Sequence, residues 1–237
     1  MVNTEYVPKT LYKYKSITGD SLEYFLDIIY NHHIFAAKVC DLNDPFEGFQ
    51  KLPEGMGYAG ISFYHGTPMS YSVMQSALEK YRVISFTENL DNPLMWIHYA
   101  DNFSGICIGF RKNPLLQNAF KISYYEKLEQ KSRSDYPDAE TLFKKGLQKK
   151  WKGWSYEKEW RYLTESDNTF LEFAKKDVSE ICIGFKMQPN IRKAITSICK
   201  QEGYHVSIAF VDPLTCKVEI QDIEEYEDRL QSKSLDI

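Results

Sequence analysis

The hexapeptide Tyr156-Glu157-Lys158-Glu159-Trp160-Arg161 places two carboxylates and a guanidinium at alternate positions. Side chains alternate between the faces of a strand, so Glu157, Glu159 and Arg161 are expected on one face. Tyr156, Lys158 and Trp160 then take the other. Three ionisable groups in a row are tolerated only toward water or toward a polar cleft. In a cleft, Arg161 holds Glu159 ionised through a charge-assisted bond, while Glu157 repels it. A carboxylate held this way can stabilise developing positive charge or accept a hydrogen bond from a sugar hydroxyl. The same pattern also fits a solvated ion-pair ladder along a strand.

Three other groupings could act on a ligand. Asn43-Asp44-Pro45-Phe46-Glu47 can present Asp44 and Glu47, with Phe46 as a stacking plate, although Asn-Asp-Pro is also good turn chemistry. His98 lies in an aromatic-rich helix, where a lone histidine is more often a hydrogen-bonded core residue than a catalyst. Lys144, Lys145, Lys149, Lys150 and Lys152, with Trp151 and Trp154 alongside, can grip single-stranded nucleic acid or simply form a solvated helix face. No serine or cysteine stands in a nucleophile elbow, and Gly-x-x-x-x-Gly-Lys is absent. The 5 cysteines have no Cys-x-x-Cys pair and no histidine at ligand spacing, so they read as buried thiols in a reducing compartment and no metal is expected.

The elements that must position these residues centre on Val83 to Phe110, which reads strand, short helix, strand. Pro93 suits a first helical turn, and Met95, Trp96, Ile97, Tyr99 and Ala100 crowd apolar mass onto the helix. A helix this short needs clamping by its neighbours. Its junction residues Ser85, Glu88, Asn92, His98 and Asn102 are expected to line one cleft.

Elsewhere, Leu11 to Tyr14, Ile34 to Val39, Phe120 to Tyr125, Ser155 to Leu163, Phe170 to Phe173, Ile181 to Phe185, His205 to Val211 and Lys217 to Ile220 read as strands. Helices are expected over a Leu22, Phe25, Leu26, Ile29 face, over Ser72 to Tyr81, over Pro137 to Lys150 and over Pro189 to Glu202. Residues 52–71 read as a long loop or flap, and 224–237 as a charged tail. ICIGF occurs twice, at Ile106 and Ile181, as two buried strands of one sheet would. Strands and helices intermix without strict alternation. The expected fold is α+β, a single domain over 1–237 with a mixed, largely antiparallel sheet flanked by helices.

A net charge of −4 over 237 residues argues against a surface that grips nucleic acid everywhere. Aromatic residues make up 15% of the chain, a share that needs a well-filled core or a stacking site. No apolar run is long enough to span a bilayer, and the N-terminus lacks a secretory pattern, so a cytoplasmic protein with no membrane partner is expected.

LYKYKS, LNDPFEG, VISFTEN with LMWIHYADNFSGICIGF, and WSYEKEWRYL occur in that order. Together they resemble the bacterial domain of unknown function 2971 from about Leu11 to Phe210. A more distant resemblance is to ADP-ribosyltransferases: Tyr12-Lys13-Tyr14, Ser85 and Glu157-x-Glu159 fall in the order of their three motifs. That resemblance implies NAD as substrate, with Glu159 bonding the nicotinamide ribose and Ser85 positioning it. It further implies Tyr14 or Tyr99 stacked on nicotinamide beside Trp96, Lys13 or Arg161 on the diphosphate, and an unidentified macromolecular acceptor. An enzyme of that kind would serve as a toxin or phage-defence effector. Alternatives are a non-catalytic nucleotide- or protein-binding module, or a nucleic-acid-binding or nuclease-like protein using Lys144–Lys152.

Overall fold

The computed structural model describes residues 7–44, 50–51, 58–59, 79–127, 138–165, 167 and 169–235. Its first elements are β1 (Thr10–Lys15), α1 (Asp20–Tyr30), β2 (His33–Phe35), β3 (Ala37–Lys38), β4 (Gln50–Lys51), β5 (Tyr58–Ala59) and β6 (Arg82–Thr87). Next come α2 (Pro93–Tyr99), β7 (Ile106–Arg111), α3 (Pro114–Gln117), β8 (Phe120–Lys121), β9 (Ser123–Tyr125), α4 (Ala139–Gly146) and β10 (Lys149–Trp151). The chain closes through β11 (Glu159–Thr164), β12 (Phe170–Glu172), β13 (Val178–Gly184), α5 (Pro189–Gln201), β14 (Val206–Asp212), β15 (Lys217–Asp222) and α6 (Ile223–Leu235). The fold is α+β with a large, mixed and mostly antiparallel sheet. No helix among the described residues is long and apolar enough to cross a membrane.

The chain divides into two compact units. The first takes the described residues of Met1–Val7, Phe35–Ser85 and Asn118–Leu171; the second takes Pro8–Ile34, Phe86–Gln117 and Glu172–Ile237.

In the second unit β1 pairs antiparallel with β7, and β7 pairs antiparallel with β13. The two ICIGF copies are therefore neighbours, with Ile108 opposite Ile181 and Cys107 opposite Cys182. β13 and β14 run parallel, joined by α5, and β15 returns antiparallel to β14. Leu11, Phe25 and Ile28 are fully buried, and so are Ile106, Ile108, Ile181 and Ile208, which explains why β7, β13 and β14 read as continuous apolar runs. Helix α2 starts as its sequence dictates: the Asn92 side chain accepts from the Leu94 amide at 2.9 Å and proline occupies the first turn. It ends in three successive left-handed residues, Asp101, Asn102 and Phe103. That costly conformation turns the Phe103 ring flat onto Trp96, with centroids 5.5 Å apart.

In the first unit β3 pairs antiparallel with β6 at Ala37 and Val83, and β11 pairs antiparallel with β8. β9 and β10 form a separate parallel pair, with Lys150 opposite Tyr124.

Several expected boundaries are corrected. The helix expected over Pro137–Lys150 stops at Gly146, because the Lys149–Trp151 backbone is taken up in pairing with β9. Ser155 to Leu163 is not one strand: Lys152–Glu157 is a 3₁₀ segment, and Lys158 (φ 43°) is left-handed before β11 begins. Ile34 to Val39 breaks at Ala36, whose amide donates to Thr169 O at 2.8 Å. Leu22 is exposed, and Phe25, Ile28 and Ile29 form the buried face of α1. The 224–237 tail is helical over its described part as α6. Most of the 52–71 and 72–81 segments lie outside the described residues.

Candidate functional site

Four charged side chains of the first unit converge below the surface: Lys150 from β10, Glu157 from the end of the 3₁₀ segment, and Glu159 and Arg161 from the start of β11. None exceeds 4% exposure. Arg161 clasps Glu159 with two parallel bonds, Nε to Oε1 at 2.6 Å and Nη2 to Oε2 at 2.9 Å. Its Nη1 donates to Leu147 O at 3.1 Å, which anchors the clasp to the residue that ends α4. Lys150 Nζ bridges the acids, 2.6 Å from Glu157 Oε2 and 3.3 Å from Glu159 Oε2. It also lies 4.9 Å from the centroid of the Trp154 ring. The Ser85 hydroxyl hydrogen-bonds the Glu159 carboxylate, and the Glu159 amide donates to the Tyr124 hydroxyl at 2.8 Å.

Local structure makes this possible. The left-handed turn at Lys158 ends the 3₁₀ segment and starts the strand, so both acids reach one ammonium while Lys158 itself points to solvent. The face-sharing of Glu157 and Glu159 survives, but through this turn rather than through strand alternation.

Two carboxylates and two cations make the quartet neutral, a condition for burying charge at all. Burial alone would push the Glu159 carboxyl upward. Arg161, Lys150 and the Ser85 bond outweigh it and hold that carboxyl at about 2. Glu157 and Glu159 outweigh burial in the same way at Lys150, whose ammonium is held above its ordinary value. Glu159 is thus ionised at neutral pH and suited to electrostatic stabilisation, not proton donation. Its acceptor capacity is also filled: two Arg161 groups, Lys150 and Ser85 occupy the four or so lone-pair sites of a carboxylate. The Lys150 contact, at 3.3 Å, is longer than either bond from Arg161.

The structure thus brings together Ser85, Glu157, Glu159 and Arg161 within one unit. Asp44 is in the same unit, 1% exposed, and Phe46 lies outside the described residues. Lys13, Tyr14, Trp96, His98 and Tyr99 belong to the second unit. There the Tyr14 hydroxyl donates to Asn89 O and Leu90 O, each 2.9 Å away, and its ring meets the Trp96 ring edge-on at 5.1 Å. Trp96 is fully buried, its indole N–H 2.8 Å from Leu90 O, so these rings lock α2 onto β1. Lys13 lies 5.9 Å over the Phe86 ring, and His98 is exposed beside half-buried Tyr99. Asn92 and Asn102 serve α2 and Lys186 respectively.

Lys150, expected on a solvated basic face, is buried. Other members of that face are also engaged: Lys144 pairs with Glu140 and Glu165 at 3.0 Å each, and Lys152 pairs with Glu126. Lys144–Lys152 therefore offers nucleic acid far less charge than its composition implies. Among the described residues no group of three or more His, Cys, Asp or Glu is placed to hold a metal ion.

Residues 95–162 match the sequence model of a family described as protein of unknown function (DUF2971). The resemblance first carried by the Trp96 and Trp160 motifs therefore holds over that span, which contains Lys150, Glu157, Glu159 and Arg161. No curated protein and no solved structure matches the chain.

Proposed function

We propose that the protein is an NAD-consuming enzyme of the ADP-ribosyltransferase type, with Glu157 and Glu159 as its acidic pair. One observation carries the reading: Ser85 and the two glutamates, far apart in sequence, meet around an ionised carboxylate. In the proposed step the bond between ribose and nicotinamide breaks, and its electron pair leaves on neutral nicotinamide. Positive charge develops on the ribose, and fixed negative charge nearby lowers that barrier. A ribose hydroxyl takes the place of the Lys150 ammonium on Glu159, the 3.3 Å contact, while Lys150 stays on Glu157 at 2.6 Å. An acceptor nucleophile then bonds the same ribose carbon and gives its proton to water. Modifying a macromolecular acceptor is the chemistry of a toxin or defence effector.

The test is nicotinamide release from NAD with candidate protein and nucleic-acid acceptors. Wild type is expected to exceed Glu159→Gln by about a hundredfold or more, with thermal denaturation of both chains run alongside. Equal background rates in folded wild type and variant overturn the proposal. One observation favours a non-catalytic binding module instead: Glu159 already has a full set of donors within the chain. On that reading Glu159→Gln changes stability and no turnover is seen.

A further inference from the structure

The second unit contains a cavity of about 480 Å³ lined by Arg111, Lys175, Lys176, Val178, Ser179 and the Gly203–His205 turn. Its size is that of a small-molecule site. Its lining has four basic side chains and no carboxylate. Two of them are balanced by acids outside the lining: Lys175 Nζ is 3.2 Å from Glu202, and His205 Nδ1 is 3.7 Å from Asp222. Arg111 and Lys176 have no carboxylate partner among the described residues. Arg111 is held rigidly instead, its Nη1 donating to Lys176 O at 2.8 Å and Val178 O at 2.6 Å. Those bonds fix the short 3₁₀ turn Lys175–Asp177, which carries both lysines, without neutralising the guanidinium.

We infer that this cavity is an oxyanion site that takes the phosphate group of a small metabolite. Arg111 supplies a preformed planar donor, and Lys176 and Lys175 supply ammonium groups at the rim. Converging cations repel one another, and a dianion between them relieves that repulsion. Tyr204, 7% exposed and with Lys175 5.4 Å over its ring, gives the floor an apolar body on which the rest of the metabolite can pack.

The test titrates the full, ¹⁵N-labelled chain with inorganic phosphate at constant ionic strength and follows the amides of Ser179, Gly203, Tyr204 and His205. Saturable shifts are expected. Lys176→Ala should raise Kd about tenfold, the usual worth of one charge-assisted bond. Lys175→Ala should weaken binding in the same sense, and Lys193→Ala, outside the lining, should bind as wild type does. Acetate is the parallel arm, since a carboxylate presents the same kind of oxygens. Shifts that never saturate, undiminished binding by Lys176→Ala, or tighter binding of acetate than of phosphate each overturn the assignment.

Discussion

Replacing Arg161 by Met tests the buried quartet most directly. The substitution keeps the volume and removes one of two cations, leaving Glu157 and Glu159 to share Lys150 out of reach of water. Breaking a buried ion pair by removing one partner costs about 3–5 kcal/mol. The Glu159 carboxyl lies at about 2 against an ordinary 4.5, a net stabilisation of the ionised form of roughly 3 kcal/mol to which Arg161, Lys150 and Ser85 all contribute against the effect of burial. For a chain of this length the loss lowers Tm by roughly 6–20 °C.

The sign of the pH dependence should also reverse. In wild type the depressed carboxyl contributes stability that is complete above the ordinary carboxylate range and is lost as pH falls toward 2. Without Arg161, burial dominates and raises that carboxyl, so stability becomes greatest at acid pH and falls as pH rises through the carboxylate range. Urea denaturation followed by circular dichroism between pH 3 and 8 reads both effects. A neutral-pH loss below about 1 kcal/mol, or an unchanged sign of the pH slope, refutes the claim that Arg161 and Glu159 depend on each other.

Wild type alone should lose roughly 3 kcal/mol between about pH 5 and pH 2 from Glu159, and Glu159→Gln should flatten that part of the curve. Two glycines separate space from backbone conformation. A Cβ on Gly184 would stand 2.2 Å from the Phe103 carbonyl oxygen, so Gly184→Ala should cost about 1–3 kcal/mol or more in urea denaturation. Gly203 has open space but φ +73°, so Gly203→Ala should cost only about 1 kcal/mol. The reverse order would contradict the packing described for the Phe103 turn.

Much of the fold is legible without coordinates, because its signals are local. Asn92-Pro93 announces α2, Pro189 and Gly203 bracket α5, and the two ICIGF runs announce strands buried on both faces. Within the quartet, sequence alone identifies Glu157, Glu159 and Arg161 as a possible charged cluster, since their spacing lies within one hexapeptide. What it could not supply is Lys150. A lysine in a basic run reads as solvated, and burying it becomes favourable only when two carboxylates are delivered to its ammonium by a left-handed turn eight residues later. The same holds for Trp96 and Tyr14: their aromatic character is written in the chain, but only packing decides that their rings and polar tips are spent on each other and on backbone carbonyls. Pairings between segments far apart in sequence carry no local signal, so tertiary structure alone assigns those residues their work.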